Sequence, residues 1–426
     1  MSVSHSLKRL VDFARAHSAY YAQLYQDLPL EGWALSDLPL VEPGAYWHKA
    51  EVLSDWPVLT GPMTDAIVFK TGGTTGGGKY SVYSHDEWAR FTAAFGRSLH
   101  PLLQPGDRVA NLFFAGDLYA SFLFAHGAMS CSRTPVCEFP FTGIVEPDVL
   151  TAQIKQHGIN VLVGVPGKLL QYASTLAQAG ETLPGIRAVL YGGESVFEEQ
   201  LHVFEAVFSN ARVASIGCAS VDAGLIGASV AVGEQGEHRA FEPETLVEIV
   251  DEVTGVPIEE PGRTGVLLVT DLGRTLMPVI RYPVGDLAAW CEPAGGSGRA
   301  FILQGRSGLG HRVRVGYATL FPDDLAQLIE ARLGRCQWQL LIEQAGGVDR
   351  VTLRIAHDAD PQQAHDLIAQ LQARDSALSE LVSQGALRIG IQWCRPADIV
   401  TNGRTGKLLR VIDRRSYGQA AQGAVS

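Results

Sequence analysis

Residues Thr71 to Lys79 read T-G-G-T-T-G-G-G-K, three threonines and a closing lysine set among five glycines. Glycine accepts positive φ and lets the backbone come close to a ligand, so successive N–H groups can converge on one anion. Thr71, Thr74 and Thr75 add hydroxyl donors, and Lys79 adds a point charge. The apolar run Ala66 to Phe69 before this stretch and the alternating run Tyr80 to Tyr83 after it predict the two strands of a hairpin. A hairpin whose tip is built this way is a phosphate-binding device.

Gly73 to Lys79 also fits G-x-x-x-x-G-K, but a nucleotide-binding P-loop continues with Ser or Thr for magnesium and opens a helix there. The next residue is Tyr80, and Tyr80-Ser-Val-Tyr-Ser alternates like a strand. The stretch resembles instead the phosphate loop of the adenylate-forming enzymes: acyl coenzyme A synthetases, luciferases and peptide synthetase adenylation domains. Only the family's proline departs, replaced by Gly78.

Further landmarks of that superfamily follow in order. Val189-Leu-Tyr-Gly-Gly-Glu194 is similar to the segment that lies against adenine, implying adenine contacts at Gly192, Gly193 and Glu194. Pro278-Val-Ile-Arg-Tyr-Pro-Val-Gly-Asp286 resembles the Y-R-T-G-D-L box, which makes Asp286 the ribose-binding carboxylate, with Arg306 of Gly305-Arg306 beside it at the hinge to a C-terminal domain. Gly403-Arg-Thr-Gly-Lys-Leu-Leu-Arg410 resembles the loop that carries the catalytic lysine, placed at Lys407. The resemblance assigns Thr71, Gly72, Gly73, Thr74, Thr75 and Lys79 to the ATP phosphates. The opening Leu7 to Tyr25, Leu38-Pro-Leu-Val, Ala125-His-Gly-Ala128 and the ending Arg410 to Arg415 are similar to the compact phenylacetate coenzyme A ligase branch.

Two segments depart from the family. Where it shows Y-G-x-T/S-E, with a tyrosine on adenine and a glutamate on magnesium, this chain has Ile216-Gly-Cys-Ala-Ser-Val-Asp-Ala-Gly224. One register puts Ser220 at the glutamate; the preferred one keeps a carboxylate at Asp222 as the metal ligand, with Cys218, Ala219 and Ser220 against adenine. Asp222 could equally serve only as a turn residue. At the hinge, Gly308 stands at the pivot and is freer than the family's Asp or Lys.

The element order predicts an α/β fold. Strands and helices alternate from Arg108 to Gly217 as in a doubly wound sheet, then the pattern turns to β from Phe241, suggesting a small β subdomain. Leu7 to Tyr25 and Pro361 to Ser383 each read as one long helix, and Arg108 to Phe114 as a strand. The expected division is 1–304 for ATP and acid binding and 305–426 for a small, mobile α+β lid. The tail from Gly418 is expected to be disordered.

Composition sets limits. A length of 426 residues with 46% hydrophobic content can bury one large core and a smaller one. The net charge of -11 argues against a nucleic-acid footprint, and no apolar run reaches membrane-spanning length. Without a signal-peptide core the expected location is cytoplasmic. Six cysteines without C-x-x-C spacing argue against a zinc or disulfide framework and are expected mostly as small buried hydrophobes. Self-association as a homodimer is left open.

Family analogy offers Phe113, Phe114, Tyr119 and Tyr191 as walls of an acid pocket, which suit a flat hydrophobic acid and equally suit an ordinary core. His126, on an apolar helix, reads as packed and hydrogen-bonded. The resemblance therefore implies an ATP- and magnesium-dependent acid ligase with coenzyme A as co-substrate. Alternatives are an adenylating enzyme that serves an amine, hydroxyl or protein acceptor, and a non-catalytic nucleotide-binding relative.

Overall fold

A computed structural model of the chain describes residues 3–47, 52–70, 80–193, 196, 198–230, 236–252, 254–296, 298–306, 313–315, 318–320, 322–345, 348–358, 360–374, 376–383, 385, 387–401 and 408–414. They divide into two compact units, one mainly up to residue 306 and the other mainly from 313 onward. No helix among the described residues is long and apolar enough to cross a membrane.

The first unit opens with α1 (Val3–His17), α2 (Ala19–Leu24) and a single turn α3 (Pro43–Tyr46). The single helix expected over Leu7 to Tyr25 is thus two. Ser18 adopts extended backbone, its Oγ accepts from Tyr21 N, and the same hydroxyl donates to Pro57 O at 2.8 Å. A local cap competes with the helix while the apolar stripe continues past it.

Strands β1 (Ala66–Lys70) and β2 (Tyr80–Ser84) pair antiparallel, as the hairpin reading required. Ser84 and Glu87 then form a capping box that starts α4 (His85–Ser98). A parallel five-stranded sheet follows, made of β3 (Arg108–Asn111), β4 (Cys137–Pro140), β5 (Val161–Gly164), β6 (Ala188–Tyr191) and β7 (Arg212–Ser215) in the order β4-β3-β5-β6-β7. Its helices are α5 (Ser121–Ser130), α6 (Pro147–His157), α7 (Pro166–Gln178) and α8 (Glu198–Val207). The fully buried runs of β5 and β6 are what a sheet covered on both faces demands. Strand β3 stops at Asn111, short of Phe114, because the Asn111 side chain intercepts the N–H of Phe113 at 3.2 Å.

A seven-stranded antiparallel sheet completes the unit: β8 (Gly217–Ser220), β9 (Gly224–Ser229), β10 (Glu237–Ala240), β11 (Thr245–Val250), β12 (Thr264–Asp271), β13 (Val279–Trp290) and β14 (Ala300–Arg306), in the order β11-β12-β13-β14-β10-β9-β8.

The second unit holds the short pair β15 (Val313–Val315) and β16 (Ala318–Leu320), helix α9 (Pro322–Leu333), and a mixed sheet of β17 (Trp338–Ala345), β18 (Val348–Ala356), β19 (Leu387–Cys394) and β20 (Val411–Asp413) in the order β19-β18-β17-β20. Helices α10 (Pro361–Arg374) and α11 (Ser376–Ser383) occupy the stretch read as one helix. This unit has its own apolar core around Leu340, Ile342, Leu353 and Leu371. The fold is α/β, as expected.

None of the six cysteines is fully buried: Cys131, Cys137 and Cys291 are exposed and the others intermediate. Cys131 caps α5, Cys137 begins an edge strand, and Cys291 follows the end of β13. Element ends reach solvent whatever the side chain prefers. The expectation of buried cysteines fails for that reason.

Candidate active site

In a doubly wound sheet, ligands gather beyond the carboxyl ends of the parallel strands. Here those ends are Asn111, Gly164, Tyr191 and Ser215. Asn111 is fully buried and donates through Nδ2 to Glu138 at 2.9 Å. Phe113, Phe114 and Tyr119 beyond it are buried together in the core on one face of the sheet. Tyr191 belongs to the core on the opposite face, so the four aromatics do not line one wall. His126 is exposed rather than packed, although it keeps a partner, with Nδ1 2.7 Å from Glu138 Oε2. It sits mid-way along α5 (Ser121–Ser130), where Ala125, Ala128 and Met129 take the buried face and leave His126 on the exposed one.

After β6 the chain reaches Gly192, where a Cβ would meet the Ile216 side chain at 2.9 Å, and Gly193, whose φ of +86° favours glycine. Backbone can therefore approach a flat ligand at this edge. Glu194 lies outside the described residues, as do Thr71, Gly72, Gly73, Thr74, Thr75, Lys79, Gly308 and Lys407.

The flanks of the glycine-rich loop are described, and both are tied down. On the entry side, Lys70 N donates to Leu118 O at 2.8 Å, which sets the loop's start beside the segment 111–119. Gly116, Asp117 and Leu118 all have positive φ there. On the exit side, Ser81 Oγ and Val82 O accept from Arg274 Nη2 at 3.0 and 3.1 Å. Arg274 Nη1 reaches the Asp222 main-chain oxygen at 2.6 Å.

Asp222 is half-buried in the turn between β8 and β9, and both of its carboxylate oxygens are engaged. Ser220 Oγ donates to Oδ1, and Tyr282 Oη donates to Oδ2 at 2.9 Å. Trp47 Nε1 in turn donates to Tyr282 Oη at 3.0 Å. Burial first, and then the neighbouring Asp222 carboxylate, push the Tyr282 hydroxyl well above its ordinary range, so it remains a donor. Ser220 and Asp222, the rivals of the two registers, thus sit in one hydrogen-bonded pair. Held by two hydroxyl donors, Asp222 is a fixed, oxygen-only group, and such a group suits magnesium carried mainly by phosphates. No cluster of three or more His, Cys, Asp or Glu side chains is found among the described residues.

Asp286 lies half-buried on β13 with its Cα in register opposite Arg306 of β14, so the two ribose candidates are neighbours across one strand pair. Cys218, Ala219 and Ser220 form β8 with a bulge at Cys218/Ala219, which turns the strand beside the Asp222 corner.

A family model for AMP-binding enzymes matches residues 23–278, more than half of the chain. The chain belongs to the AMP-binding enzymes. It is similar over 96% of its length to phenylacetate-coenzyme A ligase of Thermus thermophilus, with 25% identity over 450 residues and 95% of that protein covered. Indoleacetate–lysine synthetase of Pseudomonas savastanoi is 25% identical over 284 residues, 63% of this chain and 64% of that one. A solved structure of 2-hydroxyisobutyryl-CoA ligase in the postadenylation state shares the fold at a TM-score of 0.69 and 18% identity, covering 96% of this chain and 88% of that one.

This AMP-binding enzyme is therefore an AMP-forming acid ligase: a carboxylate attacks the α-phosphorus of ATP and pyrophosphate leaves. Such a step needs positioning of two anions and stabilisation of spreading negative charge more than it needs covalent help. Sequence reasoning missed Tyr282, Trp47 and Arg274 as supports of the site. Tyr282 stood inside the quoted box; Arg274 carried no local signal.

Proposed function

We propose that this AMP-binding enzyme activates a flat hydrophobic or aromatic acid and passes the acyl group to coenzyme A in the cytoplasm. The observation that carries this reading is the end-to-end similarity to the phenylacetate-coenzyme A ligase, which extends through both units of the chain. The buried Phe113, Phe114 and Tyr119 beside the entry to the glycine-rich loop support an apolar acid.

In this reading Thr71 to Thr75 and Lys79 hold the β- and γ-phosphates. Gly192, Gly193, Glu194 and the strand Cys218 to Ser220 border adenine, and Asp286 with Arg306 holds the ribose. Asp222, kept in place by Ser220 and Tyr282, would hold magnesium, which supplies positive charge against the phosphate oxygens. Lys407, in the C-terminal lid expected from residue 305 onward, would bridge the substrate carboxylate and the α-phosphate.

The test is acid-dependent pyrophosphate release across a panel of aryl and fatty acids, with and without coenzyme A. Release with arylacetic or benzoic acids and recovery of the thioester are expected, and Lys407→Ala should abolish both while AMP affinity stays within about twofold. Wild-type rates in that variant would end the lysine assignment. A second reading, transfer to an amine, is favoured by the partial similarity to indoleacetate–lysine synthetase. Pyrophosphate release with hydroxamate trapping but no thioester would select it.

A further inference from the structure

Arg274 follows β12 and is 2% exposed, yet among the described residues no carboxylate lies within ion-pair distance of it. Burying a guanidinium is expensive unless its surroundings compensate, and well-packed apolar residues often do as well or better for stability alone. Compensation here comes from directed dipoles, with the buried Asp271 and Glu87 carboxylates acting from further off. Nη1 donates to Asp222 O at 2.6 Å, and Nη2 donates to Ser81 Oγ at 3.0 Å and Val82 O at 3.1 Å. The guanidinium also lies 4.0 Å from the centre of the Tyr83 ring. Tyr83 Oη donates to Val221 O at 2.8 Å, so the ring under Arg274 grips the same turn one residue earlier.

The joined segments are distant in sequence and close in purpose. Ser81 and Val82 follow Lys79 by two and three residues, on the strand that leaves the glycine-rich loop; Val221 and Asp222 form the turn that carries the carboxylate. On the far side of that turn Gly224 has φ of +84°, and a Cβ there would meet Asp271 Oδ2 at 2.3 Å, so the turn is pressed against its support from behind. Both of Arg274's bonded directions are spent on fixing one segment against the other.

We propose that Arg274 is a positioning residue that sets the distance between the Asp222 carboxylate and the exit of the phosphate loop, with Tyr83 as its second grip. It would thereby tune how tightly the magnesium complex of ATP is held for the adenylation step. The inference rests on the assignment of Asp222 as the metal ligand. In this arrangement Arg274 acts through the main-chain oxygens of Asp222 and Val82 and the Ser81 hydroxyl, whose spacing it dictates.

The test is the magnesium dependence of acid-dependent ATP–pyrophosphate exchange for Arg274→Gln, Arg274→Lys, Tyr83→Phe and Asp222→Asn, alongside AMP affinity by calorimetry. Arg274→Gln should raise the half-saturating magnesium concentration about tenfold or more and lower kcat, with AMP affinity within about twofold, the signature of a loss felt mainly in the transition state. Arg274→Lys should recover part of the loss, because an ammonium still donates to carbonyls. Tyr83→Phe should shift magnesium dependence in the same direction by less, and it keeps the test open if Arg274→Gln does not fold. If Asp222→Asn shifts the magnesium curve while folded Arg274 and Tyr83 variants do not, the clamp is refuted and the metal assignment stands. If Asp222→Asn leaves the curve in place, the metal assignment falls and takes the clamp with it.

Discussion

The two edges of the parallel sheet are built on opposite plans. At the amino edge, the residues just before β3, β5 and β6 are Asp107, Asn160 and Arg187, and they bond one another. Asp107 Oδ1 accepts from Arg187 Nε at 2.7 Å and Asn160 Nδ2 at 3.1 Å; its Oδ2 accepts from Gln104 N at 2.7 Å and from Arg187 Nη2. Asn160 Oδ1 accepts from Arg108 N at 2.8 Å. At the carboxyl edge Gly164 ends β5 and Gly192 and Gly193 follow β6, positions without side chains that are joined through backbone, Gly192 N donating to Gly164 O at 3.2 Å. One edge is tied by a side-chain network, and the other, beyond β5 and β6, presents glycine backbone that a ligand can approach closely. The contrast separates side chains that tie the sheet from the glycines proposed to border adenine.

The sharpest way to break that contrast is Asp107→Ala. It strands a largely buried Arg187 and should cost ~3–5 kcal/mol in denaturant unfolding, while the KM for ATP of the folded protein stays unchanged. A variant that unfolds normally but adenylates poorly would show that the amino edge belongs to the site. Asp222→Asn should do the reverse. A loss of roughly 10²-fold in adenylation is expected, partly restored by excess magnesium, with the melting temperature nearly unmoved. Ser220→Ala, which removes one donor to Asp222, should have the smaller effect. Should Ser220→Ala prove worse, the register that puts Ser220 at the family's glutamate is the right one.

Gly193→Ala tests the open edge directly. At φ of +86° an L side chain is strained by ~1–2 kcal/mol, so unfolding free energy should fall by about that amount, and the backbone shift that relieves the strain should weaken ATP binding several-fold. An unaltered KM for ATP would remove Gly193 from the adenine side of the site.

Much of this plan was legible because it is local. Continuous apolar runs marked β5 and β6, and the apolar and alternating runs marked β1 and β2, since side-chain period follows directly from burial on one or two faces. The break at Ser18 was not legible, because the amphipathic stripe runs across it and only the contact with Pro57 reveals the cap. Within the candidate site, the motif order pointed to Asp222, Asp286 and the Gly192-Gly193 corner. Arg274 stayed hidden, since its partners Ser81 and Val82 lie more than 190 residues away and a lone arginine in a loop reads as solvated surface. Tyr282 and Trp47 were hidden likewise: their bond spans 235 residues, and no spacing rule reaches that far.

The smallest predicted effect concerns Asp271, which supports the turn from behind. Burial, the largest influence, outweighs the nearby Arg274 and the Gly273 N–H that donates to Oδ1 at 2.9 Å, and the carboxyl is pushed up to about 6 from an ordinary 3.8. Glu87, also buried, pushes in the same direction. With the folded-state value raised, the native protein keeps this proton at pH values where the unfolded chain has lost it. Its contribution to stability is therefore most favourable near pH 4, declines as pH rises through about 6, and is flat above. Asp271→Asn removes the titration. The variant should gain on the wild type by roughly 1 kcal/mol in unfolding free energy on going from pH 5 to pH 7.5, because that range crosses only the part of the rise that lies between pH 5 and about 6. Because every other titrating group is shared, that difference isolates Asp271. A wild-type-minus-variant difference that does not change with pH would show that the carboxylate is better solvated than its burial against Gly224 indicates, and that the back of the turn is as open as its front.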